Sequence, residues 1–167
     1  MKQGTIQGRV LKYGDNINTD LISPAPYVGL AREIMLAHGM EGVDPEFPKK
    51  VRKGDIIVAG RNFGSGSSRE TAAYILKESG IGAVISPLFA RIFYRNAINI
   101  GLPVFILPEA DRIGEGDILS IDPEAGVIED LTSGERFSCG KVPPALLELI
   151  EDGGLIAHLE KRFGRQE

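Results

Sequence analysis

Asp55-Ile56-Ile57-Val58-Ala59-Gly60 opens the stretch that decides the fold, and Gly82-Ala83-Val84-Ile85-Ser86 closes it. Each is an apolar run of strand length. Between them, Ser68 to Ser79 has helical spacing and stops at Gly80. Strand, helix and strand over about 30 residues make a βαβ unit, which implies a parallel pair and a right-handed crossover. Working outward, Leu88 to Asn99 reads as a second helix ending at Gly101, and Pro103 to Leu107 as a third strand. The fold class is therefore α/β, with a parallel central sheet.

The flanks add different pieces. Thr5 to Leu11 reads as a strand and Tyr13-Gly14-Asp15-Asn16 as a turn. Pro24 and Pro26 argue that Asn18 to Pro26 stays extended. Tyr27 to Leu36 has weak helical spacing, and Glu41 to Lys53 reads as a loop. Beyond the parallel core, Asp117–Ile121, Gly126–Asp130 and Glu135–Cys139 are spaced as C-terminal antiparallel hairpins. Two helical stretches follow, Pro143 to Glu151 and Leu155 to Phe163, broken by Gly153-Gly154. The 167 residues predict one domain spanning 1–167.

Composition excludes several functions. Net charge is -4, with 25% charged and 43% hydrophobic residues, which fits a folded chain and argues against nucleic acid as a partner. One cysteine, Cys139, and two distant histidines, His38 and His158, give no ligand set for zinc or an iron–sulfur cluster. No apolar run approaches the ~18 residues of a membrane span. Met1-Lys2-Gln3-Gly4 is no signal peptide, so a cytoplasmic protein is expected.

The chemistry concentrates in Arg61-Asn62-Phe63-Gly64-Ser65-Gly66-Ser67-Ser68-Arg69-Glu70. Gly64 and Gly66 allow tight turns and close approach of backbone to a ligand. A helix start and the Arg69 fork suit a carboxylate or phosphate. The same residues have a purely structural reading: Ser67 and Glu70 match a capping box, S-x-x-E. Both readings stand on spacing. The loop is not a nucleotide P-loop or a serine-hydrolase elbow, since neither pattern is present. Arg91 and Arg95 share a helix face, with solvation the usual fate of such a pair. Phe89, Phe93 and Tyr94 read as core. Asp20 is either an active-site acid or a turn residue bonded to local backbone. Nothing near Cys139 suggests an activated thiol.

Three blocks in order carry a resemblance: Gly14 to Pro24, Gly60 to Glu70, and Ser86 to Pro103. Over nearly the whole chain the sequence resembles the small-subunit family of isopropylmalate isomerase (3-isopropylmalate dehydratase), which is similar to the swivelling C-terminal domain of aconitase. The resemblance implies a swivelling β/β/α-type domain. It also implies a heteromer in which a separate large subunit holds a 4Fe–4S cluster on three cysteines, one iron acting as Lewis acid on the substrate's leaving hydroxyl. The implied reaction dehydrates a small 2-hydroxy dicarboxylate to an alkene and rehydrates it on the neighbouring carbon. By similarity Ser67 is the base, Ser68 and Arg69 bind the adjacent carboxylate, and Asp20 belongs to the active site. In the physics of that assignment, free amides at the helix start and Arg69 stabilise the Ser67 alkoxide.

Substrate choice is implied to lie in the Tyr27-Val28-Gly29-Leu30 loop. Isopropylmalate enzymes of the family carry Tyr-Leu-Val-Tyr or Tyr-Leu-Val-Phe there, and homoaconitase types place an arginine. Here there is no arginine at 28–30, which suits an alkyl substituent. The triplet nonetheless departs from the family's, and Arg32 lies two residues on, close enough in sequence to turn inward. Dimethylmalate dehydratase and homoaconitase types are the alternatives within the class, and a non-catalytic anion-binding assembly module is the alternative outside it. Homo-oligomerisation of the isolated chain is left open.

Overall fold

A computed structural model describes residues 4–164; the reading of Met1-Lys2-Gln3 as no leader lies outside them. Seven strands form one sheet in the order β4-β3-β2-β1-β5-β6-β7. They are β1 (Ile6–Lys12), β2 (Ile56–Val58), β3 (Ala83–Ser86), β4 (Val104–Ile106), β5 (Ile118–Asp122), β6 (Val127–Asp130) and β7 (Arg136–Ser138). β2 to β4 pair in parallel and β5 to β7 antiparallel, as the sequence predicts, and β1 joins the parallel set beside β2. The joint between them is not visible in sequence. β1 serves both halves, pairing in parallel with β2 through Val10, Leu11 and Lys12 and antiparallel with β5 through Ile6 to Arg9.

The helices are α1 (Thr19–Ile22), α2 (Arg32–Ala37), α3 (Phe47–Lys50), α4 (Thr71–Glu78), α5 (Arg91–Asn99), α6 (Pro144–Glu151) and α7 (Leu155–Phe163). Among the described residues, none is long and apolar enough to cross a membrane. Alternation along the parallel strands buries both faces. Leu11, Ile57, Ala59, Val84 and Val104 face a cluster completed by Ala72, Ala73 and Leu76 of α4 and Phe93 and Ala97 of α5. Val10, Ile56, Val58, Ala83, Ile85 and Phe105 face a second cluster with Leu119, Ile121, Ile128 and Phe137. The sheet curls, so Phe105 of β4 and Phe137 of β7, from opposite edges, share that cluster. Arg9 fastens β1 to the entry of β2: its Nη2 donates to Asp55 Oδ2 at 2.7 Å and to the Lys50 carbonyl at 3.0 Å.

Five expectations need correction. The helical stretch expected from Tyr27 begins only at Arg32. Asn18 to Pro26 is not extended. Asn18 Oδ1 accepts the Leu21 N–H at 2.9 Å and caps α1, and Ala25–Tyr27 forms a 3-10 turn. Pro24 precedes that turn and Pro26 falls inside it, where neither ring meets a preceding helical carbonyl. The 41–53 segment holds the short helix α3. The helix expected from Ser68 begins only at Thr71, and the one expected from Leu88 begins at Arg91. Tertiary bonds take up the first residues of the second: Phe63 N–H donates to the Leu88 carbonyl, and Ala90 N–H to that of Phe63.

Candidate active site

The site forms where two loops meet, one after β1 (residues 13–23) and one after β2 (residues 59–70). Both leave the carboxyl ends of adjacent parallel strands, the usual ligand edge of an open α/β sheet. Backbone bonds lace them together. Asn16 N–H donates to the Arg61 carbonyl at 2.8 Å, Gly64 N–H to that of Ile17 at 2.7 Å, and Thr19 N–H to that of Ser65 at 2.8 Å. The approach is close enough that a Cβ on Gly60 would stand 1.9 Å from Asp15 Oδ1.

This lacing brings Asp20 together with Ser67 and Arg69, which lie 47 and 49 residues further along the chain. Arg69 Nη1 donates to Asp20 Oδ1 at 2.6 Å and to the Ser23 carbonyl at 3.3 Å. Asp20 is 65% exposed in its side chain and Arg69 30%. The pair therefore orients the guanidinium and contributes little to stability. Ser67 and Ser68 are exposed, and the Ser68 carbonyl lies 3.5 Å from the Asn96 Nδ2 of α5. Asp20 is thus bonded to Arg69, across the fold.

The capping box does not form. α4 starts after Glu70 with no side-chain cap, so Ser67 lies outside the helix. Its hydroxyl sits instead 3.1 Å from Thr19 Oγ1, which also accepts the Ser67 N–H at 3.1 Å. The expected stabilisation of Ser67 by amides of a helix it begins is corrected accordingly: the neighbours at hand are Thr19 and, two residues on, Arg69. The sequence reading does not single out Thr19. No local signal marks it, because its partner is 48 residues away.

The Tyr27–Leu30 loop is held at one end. The Tyr27 ring stacks on His38 at 3.6 Å between centroids, and His38 Nδ1 lies 2.6 Å from Glu41 Oε2. Val28, Gly29 and Leu30 are exposed. No hydrogen bond among the described residues joins this loop to Ser67–Arg69. Arg32 does not turn inward: its Nη2 and Nε donate to Glu78 Oε2 at 2.7 and 2.9 Å, at the end of α4 away from Ser67. Arg91 and Arg95 are exposed on α5, as read, and Phe89 and Phe93 are core, packed on Phe63. A cleft of about 530 Å3 lies nearby, lined by Lys12, Asp15, Gly60, Arg61, Pro108 and Asp111, but Ser67 does not line it.

Among the described residues, no group of three or more His, Cys, Asp or Glu could hold a metal ion. Burial pushes the Cys139 thiol up to about 11, away from the thiolate a cluster needs.

Comparison with known proteins gives the family. Residues 16–109 match the Aconitase C-terminal domain family. The 3-isopropylmalate dehydratase small subunit of Nautilia profundicola is 56% identical over 152 residues, covering 90% of this chain and 92% of that one. The methanogen homoaconitase small subunit of Methanothermobacter thermautotrophicus is 51% identical, covering 95% and 93%. The crystal structure of 3-isopropylmalate dehydratase from Methanocaldococcus jannaschii superposes with a TM-score of 0.89 at 45% identity, covering 95% of each chain.

Proposed function

The chain belongs to the family of 3-isopropylmalate dehydratase small subunits, built on the aconitase C-terminal domain, and we propose that it is the small subunit of a heteromeric hydro-lyase interconverting 2-isopropylmalate and 3-isopropylmalate in leucine biosynthesis. The observation that carries the mechanism is the meeting of Ser67, Arg69 and Asp20 on two laced loops. Ser67 Oγ, as the alkoxide, takes the proton from the carbon next to a carboxylate and becomes the neutral hydroxyl. That C–H electron pair becomes the second bond of the alkene, 2-isopropylmaleate, as the hydroxyl leaves the neighbouring carbon. Rehydration returns the proton and hydroxyl with their positions exchanged. Arg69, oriented by Asp20, binds the carboxylate with Ser68. The N–H groups of Ser68 and Arg69 make no hydrogen bond among the described residues and are free to join it.

The 4Fe–4S cluster, which would supply Lewis-acid chemistry at the leaving hydroxyl, belongs in this reading to a large subunit, since the described residues offer no ligand set for it. Isopropylmalate is the substrate favoured by the loop. Val28 and Leu30 are exposed and apolar, and Arg32, the nearest arginine in sequence, is committed to Glu78. A third carboxylate placed there would be unpaired, and rejection by an unpaired polar group is strong. The homoaconitase relative keeps a second reading alive, in which tricarboxylates of the homocitrate type are processed by the same Ser67 and Arg69.

The test is an anaerobic assay of this chain with its large subunit, reading the alkene by ultraviolet absorbance. Isopropylmalate, dimethylmalate and homocitrate are offered in parallel. Turnover of isopropylmalate alone is expected. Turnover of one of the others moves the substrate assignment and leaves the chemistry. Ser67→Ala is expected to lose at least about a hundredfold in kcat while keeping its fold, because it gives up bonding worth only about 1 kcal/mol. Normal turnover by that variant would remove Ser67 from the mechanism.

A further inference from the structure

We propose that Thr19 is a positioning residue for the reaction, its hydroxyl accepting the Ser67 N–H and donating to Ser67 Oγ so that the serine is presented as a proton acceptor. The inference rests on Ser67 being the base. Thr19 is only 3% exposed, and its Oγ1 has two neighbours, Ser67 N and Ser67 Oγ, each at 3.1 Å. A hydroxyl has one hydrogen to give and two lone pairs. The Ser67 amide can only donate, so it takes a lone pair of Thr19. The Thr19 hydrogen then needs an acceptor. A threonine inside a helix usually finds one in a carbonyl three or four residues back. Thr19 is the first residue of α1, so no helical carbonyl precedes it. Among the described residues the acceptor left is Ser67 Oγ. The direction of the bond follows: Thr19 donates and Ser67 accepts.

That direction matters for a serine asked to act as a base. A donor aimed at Oγ bonds the neutral hydroxyl modestly and the alkoxide strongly, because hydrogen bonds to a charged partner are roughly twice as strong. The bond therefore favours the deprotonated form. It also leaves the Ser67 hydrogen free to point away from Thr19. The separation of 3.1 Å is long for two hydroxyls, as catalytic hydrogen bonds often are before substrate is bound. Thr19 is fixed by its own backbone, through its N–H to the Ser65 carbonyl and its carbonyl to the Ser23 N–H, each at 2.8 Å. Glycine at 66 keeps the approach open: a Cβ there would stand 3.1 Å from Thr19 Oγ1.

The charged groups beside this pair are Asp20 and Arg69, joined at 2.6 Å, and Glu70 at the start of α4. None is altered by substitution at 19. The assembled enzyme is compared with Thr19→Val, which keeps the shape and loses the hydroxyl, and Thr19→Ser, which keeps the hydroxyl. Thr19→Val is expected to lower kcat about 10- to 100-fold, the worth of a hydrogen bond to a charged group, with KM little changed. The rising limb of its pH–kcat profile should move to higher pH, since the base it leaves holds its proton more tightly. Thr19→Ser should restore both. If Thr19→Val does not fold, Thr19→Cys, a weak donor of similar size, takes its place with the same expectation. In a Ser67→Ala background, Thr19→Val should cost nothing more. An unshifted profile with normal kcat, a Thr19→Ser as impaired as Thr19→Val, or a full additional loss without Ser67 would each overturn the role. Should Ser67→Ala be inactive while Thr19→Val is normal, this inference alone fails; an active Ser67→Ala fails the mechanism beneath it.

Discussion

Ser67 shows how far a residue's role depends on partners that are distant in sequence. Spacing to Glu70 offers a local cap, and Thr19 offers a contact across the sheet edge; the contact across the edge forms. Gly64 is part of what makes that possible. It sits at φ +81°, and a Cβ would stand 2.3 Å from Cγ of Phe93 and 2.4 Å from its Cβ. Phe93 has no room to retreat, being buried and wedged edge-on against Phe63 with ring centroids at 5.1 Å. Gly64→Ala is therefore expected to cost about 2–4 kcal/mol through left-handed strain plus overpacking, read as a lower urea midpoint with unchanged slope. A cost below about 1 kcal/mol would mean the loop reseats easily. The glycines, Ser67, Arg69 and Asp20 are all legible in the sequence as a motif. What the sequence does not carry is who touches whom: the Arg69–Asp20 bond and the Thr19 hydroxyl are products of strand order.

At the level of elements, legibility follows length and burial. β2, β3 and β4 are short apolar runs covered on both faces, and they fall inside the stretches expected from sequence. α1 and α3, of four residues each, are too short for any periodicity to show, and prolines nearby argue the other way. The α6–α7 pair is legible from Gly153-Gly154, but its fastening is not. Asp152, at the end of α6, has Lys161 Nζ at 2.6 Å and His158 Nδ1 at 2.7 Å, both from α7. Hydrogen bonds from Lys161 first and His158 second hold its carboxyl below the usual range. A depressed carboxyl stabilises the fold above its unfolded value, about 3.9, and loses that contribution as pH falls through the lower folded value. Amide exchange in α7 should thus be flat from pH 7 to 5, once corrected for intrinsic rates, and accelerate below about pH 4. Asp152→Asn should exchange faster at neutral pH and lack the acid-dependent part. An Asp152→Asn profile that tracks the natural chain at every pH would leave the helix pair to apolar packing.

For the whole molecule, the central fact is that β1 belongs to both halves of the sheet. Its Val10 and Leu11 point into opposite apolar clusters, and its first residues pair with β5 while its last pair with β2. The cluster containing Val10 also draws on β2, β3, β4, β5, β6 and β7, so neither half retains a complete core without the other. We propose on this ground that residues 4–164 unfold as one cooperative unit and that the antiparallel half is no appendage. Ile121 tests it, being fully buried on β5 and opposite Ile6. Ile121→Ala should cost about 2–5 kcal/mol. The slowest-exchanging amides of β3, in the parallel half, should lose the same protection as those of β6, because both exchange through the same opening. If β6 loses protection and β3 does not, the chain contains two units sharing a strand. The site loops hang from β1 and β2, away from Ile121. At temperatures where the variant remains folded, its KM in the assembled enzyme should therefore match that of the natural chain, separating a change in stability from a change in the site.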